Sequence, residues 1–96
     1  MDKSKETKHF YTRLEVQLEQ HTTWPAPYLF KFIVPTDQAK VATLFKIFEH
    51  LETQINSRES SKGTYTSVSV KTTMESPQAV IDKYLEVSNI EGVISL

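Results

Sequence analysis

The residues of this chain best suited to hold a polar ligand lie close together, between Arg58 and Lys71. The run Arg58-Glu59-Ser60-Ser61-Lys62-Gly63-Thr64-Tyr65-Thr66-Ser67-Val68-Ser69-Val70-Lys71 combines three cations, a glycine turn, an aromatic ring and alternating hydroxyls. A strand alternates its side chains with period two. Tyr65, Ser67, Ser69 and Lys71 therefore share one face, and Thr66, Val68 and Val70 share the other. Lys31, in a second strand-like run, adds a cation. Hydrogen-bonding cations carried on a loop and sheet suit an anionic small molecule or a partner protein. The candidate binding residues are Lys31, Arg58, Lys62, Gly63, Tyr65, Ser67, Ser69 and Lys71.

Other chemistries fail on residue type or spacing. The chain has no cysteine, which removes thiolate metal sites, disulfides and cysteine nucleophiles together. His9, His21 and His50 fall on separate segments without metal-ligand spacing, so no metal and no cofactor are expected. No glycine-rich loop precedes a helix, so a phosphate cradle is not expected either. Eleven basic and twelve acidic residues leave a net charge of −1, which gives no global field to attract nucleic acid. No apolar run approaches the roughly 20 residues of a membrane helix. The charged start, Met1-Asp2-Lys3-Ser4-Lys5-Glu6, does not read as a secretory signal, and the expectation is a cytoplasmic protein.

The elements that must position the candidates follow from periodicity. Residues 1–8 read as a polar, disordered tail, and 9–96 as one domain. Phe10, Leu14 and Leu18 form a helical stripe over residues 9–20, flanked by Tyr11 and Val16. Trp24-Pro25-Ala26-Pro27 reads as a stiff, extended entry. Tyr28–Val34 is a strand, with Tyr28, Phe30, Phe32 and Val34 on one face and Leu29, Lys31 and Ile33 on the other. Val41, Leu44, Phe45, Phe48 and Leu51 mark an amphipathic helix from Gln38 to Leu51, capped by Thr36 or Asp37, with His50 in its last turn. Residues 53–58 read as a polar edge strand, 60–63 as a turn with Gly63 at positive φ, and 64–74 as a half-buried strand. Ser76-Pro77 starts a second amphipathic helix, with Val80, Ile81, Tyr84, Leu85 and Ser88 as its inward stripe. Residues 93–96 form a short last strand.

Set in order after the first helix, these elements read strand, helix, strand, strand, helix, strand. Right-handed crossovers then give an α+β, ferredoxin-like βαββαβ unit: a four-stranded antiparallel sheet with two helices on one face, plus an extra N-terminal helix. The first and third strands should be central.

Trp24-Pro25-Ala26-Pro27-Tyr28 and Ser60-Ser61-Lys62-Gly63-Thr64-Tyr65-Thr66-Ser67-Val68-Ser69-Val70, followed by a helix and a short closing strand, resemble the YbeD-like family of small bacterial proteins. The likeness runs from about Leu14 to Leu96. It implies a ferredoxin-like fold similar to the ACT regulatory domains, which bind small effectors in metabolic enzymes, and it carries no activity with it.

A non-enzymatic regulatory or interaction module is therefore expected, binding a small anionic effector or a partner enzyme. An RNA-contacting sheet surface is the alternative, although the open face offers a single aromatic, so nucleic acid is disfavoured. An acylphosphatase-type enzyme is the third reading. That class needs an arginine in the loop after the first strand, and Arg13 and Arg58 lie elsewhere. A homodimer is also open to this chain, through pairing of the terminal edge strand or docking of the N-terminal stripe.

Overall fold

The computed structural model describes residues 3–96, with backbone only for 3–8. In chain order the elements are α1 (Lys3–His21), β1 (Ala26–Pro35), α2 (Gln38–Phe48), β2 (Thr53–Glu59), β3 (Tyr65–Met74), α3 (Pro77–Val87) and β4 (Ile94–Ser95). The fold is α+β: three helices and one four-stranded sheet in the order β2-β3-β1-β4. Every pairing is antiparallel, and β1 and β3 are central as expected.

Why these two strands are central is written in their side chains. Phe30, Phe32 and Val34 of β1 and Val68 and Val70 of β3 are fully buried on one sheet face. Leu44 and Phe48 of α2 and Val80, Tyr84 and Val87 of α3 close over that face. The ring of Phe30 is the hub, with its centroid 4.7 Å from Tyr28, 5.0 Å from Phe48 and 5.2 Å from Tyr84. Thr66 and Thr72 share the buried face, and both hydroxyls are satisfied. Thr66 pairs with Thr36 at 2.9 Å, and Thr72 donates to the Glu52 carbonyl at 2.8 Å.

Helix ends follow their capping chemistry. The Asp37 carboxylate accepts from the amides of Ala39 and Lys40, and the Ser76 hydroxyl accepts from Ala79 ahead of Pro77.

Several expectations are corrected. Residues 3–8, read as a tail, continue α1 back to Lys3, through a stretch of Lys and Glu that favours helix; Met1 and Asp2 lie outside the described residues. The stripe of α1 that docks is Tyr11, Leu14 and Leu18, at i, i+3 and i+7, while Phe10 stays exposed. It packs on the protein's own core, where Tyr11 stacks on Tyr84 at 6.1 Å. Trp24 anchors this layer by donating from Nε1 to the Leu18 carbonyl. The entry segment is not separate from the sheet: β1 begins at Ala26 and pairs Pro27 with Thr73.

α2 ends at Phe48, so His50 lies beyond its last turn. Its ring meets the ammonium of Lys83 at 3.2 Å. On α3, Leu85 and Ser88 are exposed, and Lys83 and Val87 take the buried positions instead.

Candidate functional site

Opposite the buried face, the sheet is open: among the described residues no element covers it. The register places its side chains in rows. Asn56, Ser69 and Lys31 stand side by side across β2, β3 and β1. One row along lie Arg58, Ser67, Ile33 and Ile94 of β4, and on the other side Gln54, Lys71 and Leu29. Leu96 donates its amide to the Lys31 carbonyl at 2.9 Å, which continues the register and sets it opposite Lys31. Tyr65 faces Pro35 at the end of the ladder.

Five of the eight candidates, Lys31, Arg58, Ser67, Ser69 and Lys71, are thus brought onto one surface, with Tyr65 at its border. Lys62 and Gly63 are not part of it. They form the hairpin tip, where Gly63 takes φ +69 and donates to the Ser60 carbonyl. The tip is tied by its own bonds: the Ser60 amide donates to the Tyr65 carbonyl, and the Tyr65 amide to the Ser60 hydroxyl. Turn geometry therefore accounts for Gly63.

The open face is electrostatically one-sided. Lys31, Arg58 and Lys71 point from it, and no strand position facing the same way carries a carboxylate. Glu52, one residue before β2, shares a shallow hollow with Lys71 at the rim. The only ion pair among the described residues is Lys83–Glu86, so none of the three face cations is neutralised by a neighbour. Three of the chain's eleven cations thus share one surface, without an ion-pair partner among the described residues.

A second property of this face was only partly legible in the sequence. Leu29, Ile94 and Leu96 are 49%, 51% and 69% exposed, and the half-buried Ile33 lies between them. Together they form an aliphatic strip on β1 and β4 with Lys31 in its middle. The alternation of residues 28–34 already put Leu29 and Ile33 on this side. Ile94 and Leu96 joined them only through the pairing of β4 with β1.

Two further features lie away from this face. A groove of about 390 Å³ runs between α2 and the β2–β3 hairpin, lined by Val41, Phe45, Ser57, Thr66, Asp37 and Glu59 among others. Its charged residues are both acidic, which repels the anionic ligand that the candidate residues suit.

Lys83, 8% exposed, donates to the Ile47 carbonyl at 2.9 Å and to Glu86 at 3.0 Å, and meets His50 Nε2. An ammonium can only donate, so the His50 nitrogen accepts. These bonds tie α3 to the end of α2 and leave Lys83 with structural work. In the aromatic layer, burial first and then the 2.8 Å hydrogen bond with Tyr28 push the Tyr84 phenol far above the usual tyrosine range. Burial raises Tyr11 as well. Both phenols are held neutral as packing groups.

No group of three or more potential metal ligands converges among the described residues. No described helix is long and apolar enough to cross a membrane.

Fold and site together define a small α+β domain whose sheet presents one exposed, cationic and aliphatic face. A family model described as a protein of unknown function, DUF493, matches residues 19–96, and the chain belongs to that family, which is the YbeD family. No curated protein and no solved structure matches the chain. The matched span begins near the end of α1 and includes the whole sheet, α2 and α3.

Proposed function

We propose that this protein is a non-enzymatic regulatory or interaction module, and that the open sheet face is the surface through which it acts. The order β2-β3-β1-β4, with both crossover helices on the buried side, supports reading the domain as ferredoxin-like, comparable to an ACT-type regulatory unit. One observation carries the functional reading: Lys31, Arg58 and Lys71 are unpaired and share a face whose strand positions hold no carboxylate. Folding does not require that arrangement. Solubility does not need cations to share a face without carboxylates, whereas an unopposed cationic surface selects an anionic ligand.

The test is binding of polyglutamate, compared between wild type and the double variant Lys31→Glu with Lys71→Glu. Each exposed pair contributes about 0.2–1 kcal/mol, so losing two should weaken binding by about two- to thirtyfold. Wild-type affinity should also fall as salt rises. Equal binding by wild type and variant would defeat the reading. A single-stranded RNA that bound more tightly than polyglutamate, with a steep salt slope, would replace it with the RNA-contacting alternative.

A further inference from the structure

Resting on that reading, we infer that the natural occupant of the open face is an acidic amphipathic helix of a partner protein, seated along β1 and β4. A free anion or a polyanion would engage Lys31, Arg58 and Lys71 but leave Leu29, Ile33, Ile94 and Leu96 in water. Those four side chains line up on two neighbouring strands. Neighbouring strands are about 4.8 Å apart, so the strip is about as wide as the apolar stripe of one helix, whose diameter is about 10 Å. From Leu29 to Ile33 the strand rises about 13 Å, the length of roughly nine helical residues. The helix therefore needs two to three turns with leucine- or isoleucine-type residues at i, i+3 or i+4, and i+7.

Charge complementarity fixes its other side. A helix on the β1–β4 strip turns one flank over β3 and β2, where Lys71 and Arg58 stand, while Lys31 rises within the strip itself. That flank must be acidic.

The same observations set aside the competing occupants. A second copy stacked face to face would oppose Lys31, Arg58 and Lys71 with the same cations. RNA needs stacking rings on the central strands, and Tyr65, at the end of the ladder, is the one aromatic on this face.

The experiment is selection of 16-residue peptides from a random displayed library on the full chain, followed by affinity measurement of the winners. Leu29→Ser and Lys31→Glu serve as counter-selection, and both are exposed positions whose replacement leaves the buried face intact. The expected winners combine Asp or Glu with Leu or Ile at helical spacing. Each variant should bind them roughly tenfold or more weakly, Leu29→Ser through lost apolar burial and Lys31→Glu through repulsion.

Winners rich in acidic residues but without periodic aliphatics would overturn this inference and leave the anionic-ligand reading standing. Winners without acidic residues, or winners that bind both variants as tightly as wild type, would overturn the two together.

Discussion

Replacing Phe30 with alanine is expected to cost about 3–5 kcal/mol of folding stability, the range for truncating a buried aromatic. Phe30 has no exposed surface, and its ring touches both central layers: Tyr28 and Phe32 within β1, Phe48 from α2 and Tyr84 from α3. Removing it opens a cavity where sheet and helices meet, and neighbours on three elements cannot all collapse into the space. A domain of this size has only about 5–10 kcal/mol to lose. Thermal denaturation of Phe30→Ala should therefore fall by at least about 10 °C relative to wild type. Phe30→Leu, which keeps most of the volume, should lose much less. A fall below about 3 °C for Phe30→Ala would mean that this ring is not the hub of the core.

Gly92→Ala is expected to act through β4. Gly92 sits at φ +83, and a Cβ there would lie 2.8 Å from Pro35 Cγ and 3.3 Å from Cδ. The left-handed backbone alone costs a non-glycine residue about 1–2 kcal/mol, and the pyrrolidine ring of Pro35 must also move. Gly63 is the internal comparison. It has φ +69, but a Cβ there meets nothing closer than the Glu59 carboxylate at 4.0 Å.

Gly92→Ala should consequently destabilise by about 2–3 kcal/mol and Gly63→Ala by about 1 kcal/mol, measured by urea unfolding. The damage at Gly92 should appear first as faster amide exchange at Leu96, since β4 is held to β1 by two residue pairs and the Leu96–Lys31 bond. Because β4 supplies Ile94 and Leu96 to the aliphatic strip, Gly92→Ala should also weaken binding of the proposed acidic helix. Equal effects of the two glycine substitutions would remove the role assigned to the Pro35 contact.

How much of this was legible before the fold was known depends on the range of each interaction. Period-two alternation identified both faces of β3: Thr66, Val68, Val70, Thr72 and Met74 are buried as expected. Ser76-Pro77 and the pair Thr36-Asp37, of which Asp37 is the cap, announced their helices locally, and Gly63 announced its turn. These signals reach four residues or fewer.

Lys83 was not legible. Its partners Ile47 and His50 are 36 and 33 residues away in sequence, and a lysine on a helix ordinarily reads as solvated. α2 ends before Leu51: Glu49 and Leu51 donate to Lys46 and Phe48 as turns, and the Ile47 carbonyl is taken by the Lys83 ammonium. The aliphatic strip was half legible. Leu29 and Ile33 follow from alternation, but Ile94 and Leu96 required knowing which strand β4 pairs with and in which register. The hairpin Arg58–Lys71 looked like one cluster and proved to be two parts, a self-tied tip with Lys62 and Gly63 and a face with Arg58, Ser67, Ser69 and Lys71.

On the proposed reading, a ligand meets the open sheet face and not the helical side or the acidic groove beside α2. Backbone amide shift mapping during titration with polyglutamate tests it most directly. Changes are expected to concentrate at Lys31, Ile33, Ser67, Ser69 and Lys71, with α2 and α3 undisturbed. Changes centred on Val41, Phe45 and Ser57, or spread over α1 and α3 with the sheet silent, would contradict it.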